Sequence, residues 1–202
     1  MTDPTPAIDP GRTALLVMDY QNGIIGRLDD AEPLLARVAH AIAVVRQLGG
    51  HIGYVRVAFD DADFDAIPPT SQFAALVANR GRAMHADSPA TAVHESVAPE
   101  PGDIGVRKTR VGAFSTTDLD GQLRARQIDT LVLAGISTSG VVLSTVRDAA
   151  DRDYRVFVLA DTCADPVPGV HEFLTEKIFP RQAGVISTAE LEQLLTAGSA
   201  SS

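Results

Sequence analysis

One cysteine in 202 residues, Cys163, leaves no partner for an internal disulfide and no material for a cysteine-built zinc cluster. Positive charge is scarce too. With 17 Lys and Arg against 26 Asp and Glu, the net charge is −9, which argues against nucleic acid or an anionic membrane as a partner. No basic run precedes an apolar stretch near the start, and no apolar run is long enough to span a bilayer, so a cytoplasmic location is expected. Neither a Gly-x-Gly-x-x-Gly nor a phosphate-loop pattern occurs, and no nucleotide cofactor is implied. The five histidines, His40, His51, His85, His94 and His171, show no ligand spacing, so no metal is expected either.

What is present is ordinary globular material, 45% hydrophobic and 21% charged, enough for one domain with a continuous core. That domain is placed at 12–196. The Pro-rich opening 1–11 and the small, polar close 197–202 are expected to be poorly ordered. Between them, apolar strand patterns at 13–19, 51–58, 103–107, 130–135, 155–160 and 184–186 alternate with helical ones. The helix after the first strand repeats Leu34, Leu35, Val38, Ala41, Ile42 and Val45 at helical spacing and stops at Gly49-Gly50. Further helices are expected at 116–127, 139–152 and 168–178, and a last one opens on Ser187 and Glu190 at capping-box spacing. The alternation implies a three-layer αβα fold: a six-stranded parallel sheet, Rossmann-like in the order 3-2-1-4-5-6, with helices on both faces. Ligands in such sheets bind beyond the carboxyl ends of the strands, where the order reverses. Here that point lies between strands one and four. The stretch 59–102, of mixed polarity and with several prolines, is expected to form a lid or a subunit contact.

Two ionisable residues stand at strand ends on that side. Asp19 closes the first strand and Lys108 the third. Taken singly, the first is a turn residue and the second a solvated strand-end lysine. At the reversal the fourth strand breaks into Ser137, Thr138, Ser139, Gly140 and Val141 before a helix begins, a position suited to a carboxylate or a developing oxyanion. Capping by Thr138 or Ser139 is expected in addition. Gln21, Arg110 and Phe114 are candidates for the pocket lining, with packing or surface roles nearly as good. Asp161 is read as a turn or cap residue.

The blocks "TALLVMDYQNGI", "VRKTRVGAFSTTDLDGQL" and "IDTLVLAGISTSGVVLSTVRDAADRDYRVFVLADTCAD" together resemble the isochorismatase-like, or cysteine hydrolase, superfamily over about residues 12 to 190. The resemblance implies the sheet described above, a homodimer or larger assembly, and a small-molecule substrate. It places the catalytic Asp and Lys of the amidase members on Asp19 and Lys108. Their nucleophilic cysteine, which follows a Gly-x-x-Thr motif, falls on Val141, and a slide of one residue offers only Gly140 or Val142. Valine cannot attack a carbonyl, and loss of the nucleophile from such a unit costs on the order of 10⁶ in kcat. Cys163 lies some twenty residues further on and reads as a buried structural cysteine. In amidase relatives a cis peptide precedes the cysteine, here Ser139–Gly140; with the cysteine gone it is not carried over. Nicotinamidases also carry an Asp-x-His metal element, whereas "AFDDADFDAIP" has carboxylates and no histidine.

True isochorismatases lack the thiol and hydrolyse a vinyl ether, and "GVVLSTVRDA" is similar to their corresponding helix. Such a reaction needs a carboxylic acid, a role that Asp19 fills if burial keeps it protonated. Lys108 is then an anchor or an electrostatic stabiliser. Two alternatives stay open: a catalytically silent family member that binds a small molecule or serves as an assembly subunit, and serine-based acyl transfer through Ser137 or Ser139. "GISTSG", with Asp161 and His171 downstream, is a near miss for the nucleophile elbow of α/β-hydrolases.

Overall fold

Side chains of a strand alternate between the two faces of its sheet, so a strand covered on both sides must be apolar throughout. In the computed structural model, which describes residues 7–200, this holds for β1 (Thr13–Met18) and β4 (Thr130–Ile136), whose residues are all buried. The other strands are β2 (His51–Val57), β3 (Ile104–Lys108), β5 (Arg155–Ala164) and β6 (Gly184–Ile186). All pair in parallel in the order β3-β2-β1-β4-β5-β6, as the alternation of patterns predicts.

The helices are α1 (Asn22–Ile25), α2 (Glu32–Gln47), α3 (Asp61–Asp65), α4 (Gln72–Arg80), α5 (Leu119–Ala125), α6 (Leu143–Asp151), α7 (Val170–Phe173) and α8 (Thr188–Ser199). The alternation along β1 sorts them into layers. Leu15 and Val17 join one core with Leu35, Val38 and Val45 of α2 and Leu191 and Leu195 of α8. Ala14, Leu16 and Met18 join the opposite core with Leu119 and Leu123 of α5 and Val146 of α6. Among the described residues no helix is long and apolar enough to cross a membrane.

The segment 59–102 folds into α3, α4 and short 3-10 turns around a small third core of Phe59, Ile67, Val77 and Met84. Its mixed polarity has a physical reason: it covers an edge of the crevice and buries only one narrow face. β5 runs to Ala164, past the expected end, with a register irregularity opposite Leu133 and Gly135, so Asp161 lies within the strand. There its carboxylate accepts from the Thr188 amide and hydroxyl, both at 3.1 Å, and anchors the start of α8. Helix 116–127 shortens to α5, and 168–178 splits into α7, a π turn (Leu174–Ile178) and a 3-10 turn (Phe179–Arg181). The expected capping box of Ser187 and Glu190 is present.

The ends are packed further out than their composition suggests. Residues 1–6 and 201–202 of the expected tails lie outside the described residues. Within 7–11, Ile8 is fully buried in the α2/α8 core and its amide donates to the Leu194 carbonyl. Helix α8 continues to Ser199, and Gly198 lies so close to the Ile8 carbonyl that a Cβ there would sit 1.8 Å from the oxygen. Ile8→Ala should therefore lower the free energy of unfolding by about 2–5 kcal/mol in urea titrations. A change within about 0.5 kcal/mol, as for an ordinary surface position, would show that 7–11 does not pack.

Candidate active site

At the reversal of strand order, Met18 of β1 pairs with Gly135 of β4, and the chain leaves both strands just beyond. Asp19 takes φ 62°, a left-handed conformation uncommon for a side-chain-bearing residue and better tolerated by Asp than by most. Its amide still donates to Val55 of β2 at 2.8 Å, so the turn is tied to the sheet while the carboxylate swings over the strand ends. Lys108, the last residue of β3, reaches it across the end of β2. Its Nζ lies 2.9 Å from Asp19 Oδ2 and donates to the carbonyls of Val111 (2.8 Å) and Arg110 (3.3 Å). Both side chains are buried, at 2% exposure for Lys108 and 7% for Asp19.

The two carboxylate oxygens differ in environment. Oδ2 faces the ammonium, whereas Oδ1 is buried with no hydrogen-bond partner among the described residues. Burial pushes the Asp19 carboxyl above its ordinary pKa, because losing water penalises the anion more than the nearby Lys108 charge stabilises it. Asp19 and Lys108 both line a cavity of about 380 Å³, a size suited to a small metabolite.

Beyond β4 the peptide Ile136–Ser137 is cis, three residues earlier than the Ser139–Gly140 position raised by the family resemblance. Thr138–Val142 then forms a π turn that leads into α6. Gly135 and Gly140 are needed for closeness. A Cβ on Gly135 would lie 2.9 Å from Val142 Cγ2, and one on Gly140 would lie 2.7 Å from Ser137 Oγ. Ser137, Gly140 and Val141 line the cavity. Thr138 and Ser139 do not. Thr138 is fully buried, with Oγ1 2.9 Å from His171 Nδ1, and the Ser139 amide donates to Asp165 Oδ2 at 2.7 Å. The Gly140 amide is taken by the Ser137 carbonyl at 3.2 Å. Of the Gly140 and Val141 amides that the sequence reading points into the crevice, that of Gly140 is therefore taken within the turn.

Arg110 lines the cavity, with its guanidinium over the Phe73 ring. Gln21 and Phe114 do not line it. The Gln21 amide is fully engaged with backbone: Nε2 donates to Val57 (2.9 Å) and Thr91 (2.8 Å), and Oε1 accepts from Val57 N (2.9 Å). It braces β2 against the 59–102 segment. Phe114 is a core residue stacked on Tyr154. Sequence reasoning missed Arg27, Phe73, Leu76 and Arg80, all of which face the cavity from α4 or from the turn after α1. Arg80 closes α4, and nothing in the local sequence distinguishes it from a helix-end arginine facing solvent.

The isochorismatase domain family matches residues 13–190. The chain belongs to this family. It is 34% identical over 188 residues to the uncharacterized isochorismatase family protein YwoC of Bacillus subtilis, spanning 93% of this chain and 96% of that one. It is 36% identical over 176 residues to a ureidoacrylate amidohydrolase, RutB, of Methylobacterium radiotolerans, spanning 77% and 68%. The crystal structure of a cysteine hydrolase from Pseudomonas syringae pv. phaseolicola 1448A superimposes with a TM-score of 0.84 at 26% identity, over 98% of this chain and 100% of that one. Family membership supports a hydrolase and accounts for the sheet order.

Cys163, the only cysteine, is buried on β5 with Sγ 3.9 Å from the Leu133 carbonyl, and it does not line the cavity. Burial pushes its thiol up to about 12. Native protein at pH 8 should accordingly react with a disulfide reagent far more slowly than urea-unfolded protein, since the thiolate is the nucleophile. Equal rates in the two states would contradict this environment.

Proposed function

We propose that this isochorismatase-family hydrolase acts without a cysteine nucleophile, with Asp19 as a general acid in the hydrolysis of a small vinyl ether. The observation that carries the reading is the Asp19 carboxyl itself: buried, raised in pKa, with one oxygen that accepts no hydrogen bond among the described residues, on a residue that lines the cavity. Protonated Asp19 delivers its proton to the terminal vinyl carbon, and the C=C electron pair forms the new C–H bond. The resulting oxocarbenium takes up water and loses a proton to ionised Asp19. The hemiketal then collapses to a ketone, breaking the bond to the alcohol, which leaves with a proton. Lys108 holds the carboxyl in register and offsets the charge of its ionised form.

Supporting the reading, the residue where amidase relatives would carry their nucleophile is Val141, which lines the cavity and is apolar. A serine substitute finds little support. Among the described residues no base hydrogen-bonds the Ser137 hydroxyl, Asp161 is bound to Thr188, and His171 is bound to Thr138. The relatives named as amidohydrolases suggest that the family cavity suits small metabolites, and the same reading carries a cytoplasmic enzyme assembled as a homodimer or larger oligomer.

Purified protein should release pyruvate from isochorismate, and in D₂O the pyruvate methyl should carry one deuterium taken from solvent. Asp19→Asn should lower the rate by about 10²–10⁴. Because the acid works only when protonated, kcat should fall as pH rises through the raised Asp19 pKa, leaving an alkaline limb above the ordinary carboxylate range. Absence of pyruvate at micromolar enzyme, or an Asp19→Asn variant as fast as the parent, would overturn the proposal.

A further inference from the structure

The Asp19 side chain has little hold of its own. One carboxylate oxygen meets Lys108 and the other accepts no hydrogen bond among the described residues, so its aim depends on the turn that carries it. That turn has a left-handed φ of 62°, a conformation that a residue other than glycine keeps only where its surroundings impose it. Backbone bonds supply part of the constraint. The Asp19 amide donates to Val55, the Gln21 amide to the Asp19 carbonyl and the His94 amide to the Tyr20 carbonyl, each at 2.8 Å.

The next side chain, Tyr20, supplies a hold of another kind. It is 1% exposed and does not line the cavity; its ring lies in the core shared with α2 and α8. Its hydroxyl donates to the Thr162 carbonyl of β5. Because β4 lies between β1 and β5, the phenol spans a whole strand to reach it. Its partner sits in the irregular stretch of the sheet. Leu133 pairs with Val158 and Gly135 with Cys163, which leaves 159–162 of β5 opposite Ala134 alone. That stretch is fixed from outside the β4 ladder. The Asp161 carbonyl accepts from Arg37 of α2, the Asp161 carboxylate from Thr188 of α8, and the Thr162 hydroxyl donates to the Leu159 carbonyl at 3.0 Å. A buried phenol needs an acceptor, and this one joins the Asp19 turn to a point held by two helices.

We infer that Tyr20 is a positioning residue for Asp19: its hydroxyl, tied to Thr162, holds the left-handed turn and so keeps the carboxyl buried beside Lys108. The inference rests on the reading that Asp19 is the acid of this cavity. The effect is one of position, since burial pushes the phenol well above its ordinary pKa and leaves it a neutral donor. The titratable groups that face it, Cys163 and Asp161 of β5 and Arg37 of α2, do not line the cavity. Asp19 faces Lys108, with Arg27, Arg80 and Arg110 lining the same cavity. Without the tether the turn gains freedom, water reaches the carboxyl and the Lys108 contact loosens. Burial outweighs the lysine in setting the Asp19 pKa, so the net change is downward. An acid that works protonated then loses activity from the alkaline side.

Tyr20→Phe removes the hydroxyl and keeps the ring. Tyr154→Phe does the same to a second buried tyrosine, which donates to Asp120 at 2.8 Å and does not line the cavity. In the full-length protein, Asp19 is followed by the pH titration of its carboxyl carbon in aspartate-labelled samples, assigned by the signal lost in Asp19→Asn. Turnover is followed by pyruvate release from isochorismate. Tyr20→Phe should raise the acid dissociation constant of Asp19 roughly threefold or more, towards the ordinary carboxylate value. Its kcat at pH 7.5 should fall about tenfold with KM within about twofold, and the alkaline limb of kcat should move with the titration. Tyr154→Phe should lower the melting temperature comparably and move neither the titration nor the limb. Melting temperatures show that both variants are folded where they are measured. An unmoved Asp19 titration in Tyr20→Phe, or an equal shift in Tyr154→Phe, overturns the positioning role. A shifted titration specific to Tyr20→Phe, in a protein that releases no pyruvate, upholds the tether and removes the vinyl ether reading. Pyruvate release with the titration unmoved removes the tether and leaves the Asp19 chemistry standing.

Discussion

The buried contact between Asp19 and Lys108 is the constraint around which the strand ends are arranged. Two charges taken from water lose several kcal/mol of solvation each, and their mutual attraction offsets this only with good geometry and further hydrogen bonds. The fold supplies both for the lysine. Its ammonium has one carboxylate oxygen and two carbonyls of its own downstream turn, so the chain after β3 is shaped by the group that it solvates. For the aspartate the arrangement is incomplete, with one oxygen left bare. A fold that required only a structural ion pair would gain by satisfying that atom. Leaving it buried without a donor favours the neutral form of the carboxyl.

The sheet order makes this pair possible and also limits it. β3 and β1 are not neighbours, so Lys108 must extend past the end of β2, and only a long side chain does so from that strand. The left-handed turn at Asp19 shortens the remaining gap, a conformation that costs of order 1 kcal/mol or more and persists because the Val55 ladder bond and the Gln21 bracing hold the backbone on either side. The opposite wall is tied equally firmly. Thr138 to His171 and Ser139 to Asp165 pin the β4 turn to the chain beyond β5, and in doing so use polar groups that a reading of the motif alone assigns to the ligand.

How much of this was legible in the sequence follows from how local each signal is. The apolar runs of β1 and β4 are dictated by burial on both faces, and Asp19 and Lys108 follow because the strands end where the apolar pattern ends. Gln21 and Phe114 sit beside those markers in sequence, yet one points its amide into backbone and the other its ring into the α5/α6 core; adjacency along the chain does not give direction. Arg27 and Arg80 carried no signal, because an exposed arginine and one facing a cavity look alike until the mixed-polarity stretch 59–102 is placed over the crevice. Ile8 was hidden for the reverse reason. Prolines around it suggested disorder, while its partners on α8 lie nearly two hundred residues away.

On the proposed reading, valine at position 141 does more than leave the cavity without a thiol. In thiol-based hydrolysis the neighbouring carboxylate serves as a base and must be ionised to accept the thiol proton. Acid catalysis asks the same residue to be protonated at rest. An apolar side chain in the cavity wall lowers the local polarity and shifts Asp19 towards the neutral form, in the same direction as its burial. On the proposed reading, one exchange of cysteine for valine therefore removes the nucleophile and favours the protonation state that the alternative chemistry needs. Lys108 opposes that shift and, once the proton has left, stabilises the carboxylate produced, which keeps the carboxyl acidic enough to give its proton away. On that reading, the balance between burial and the lysine sets how readily Asp19 transfers its proton.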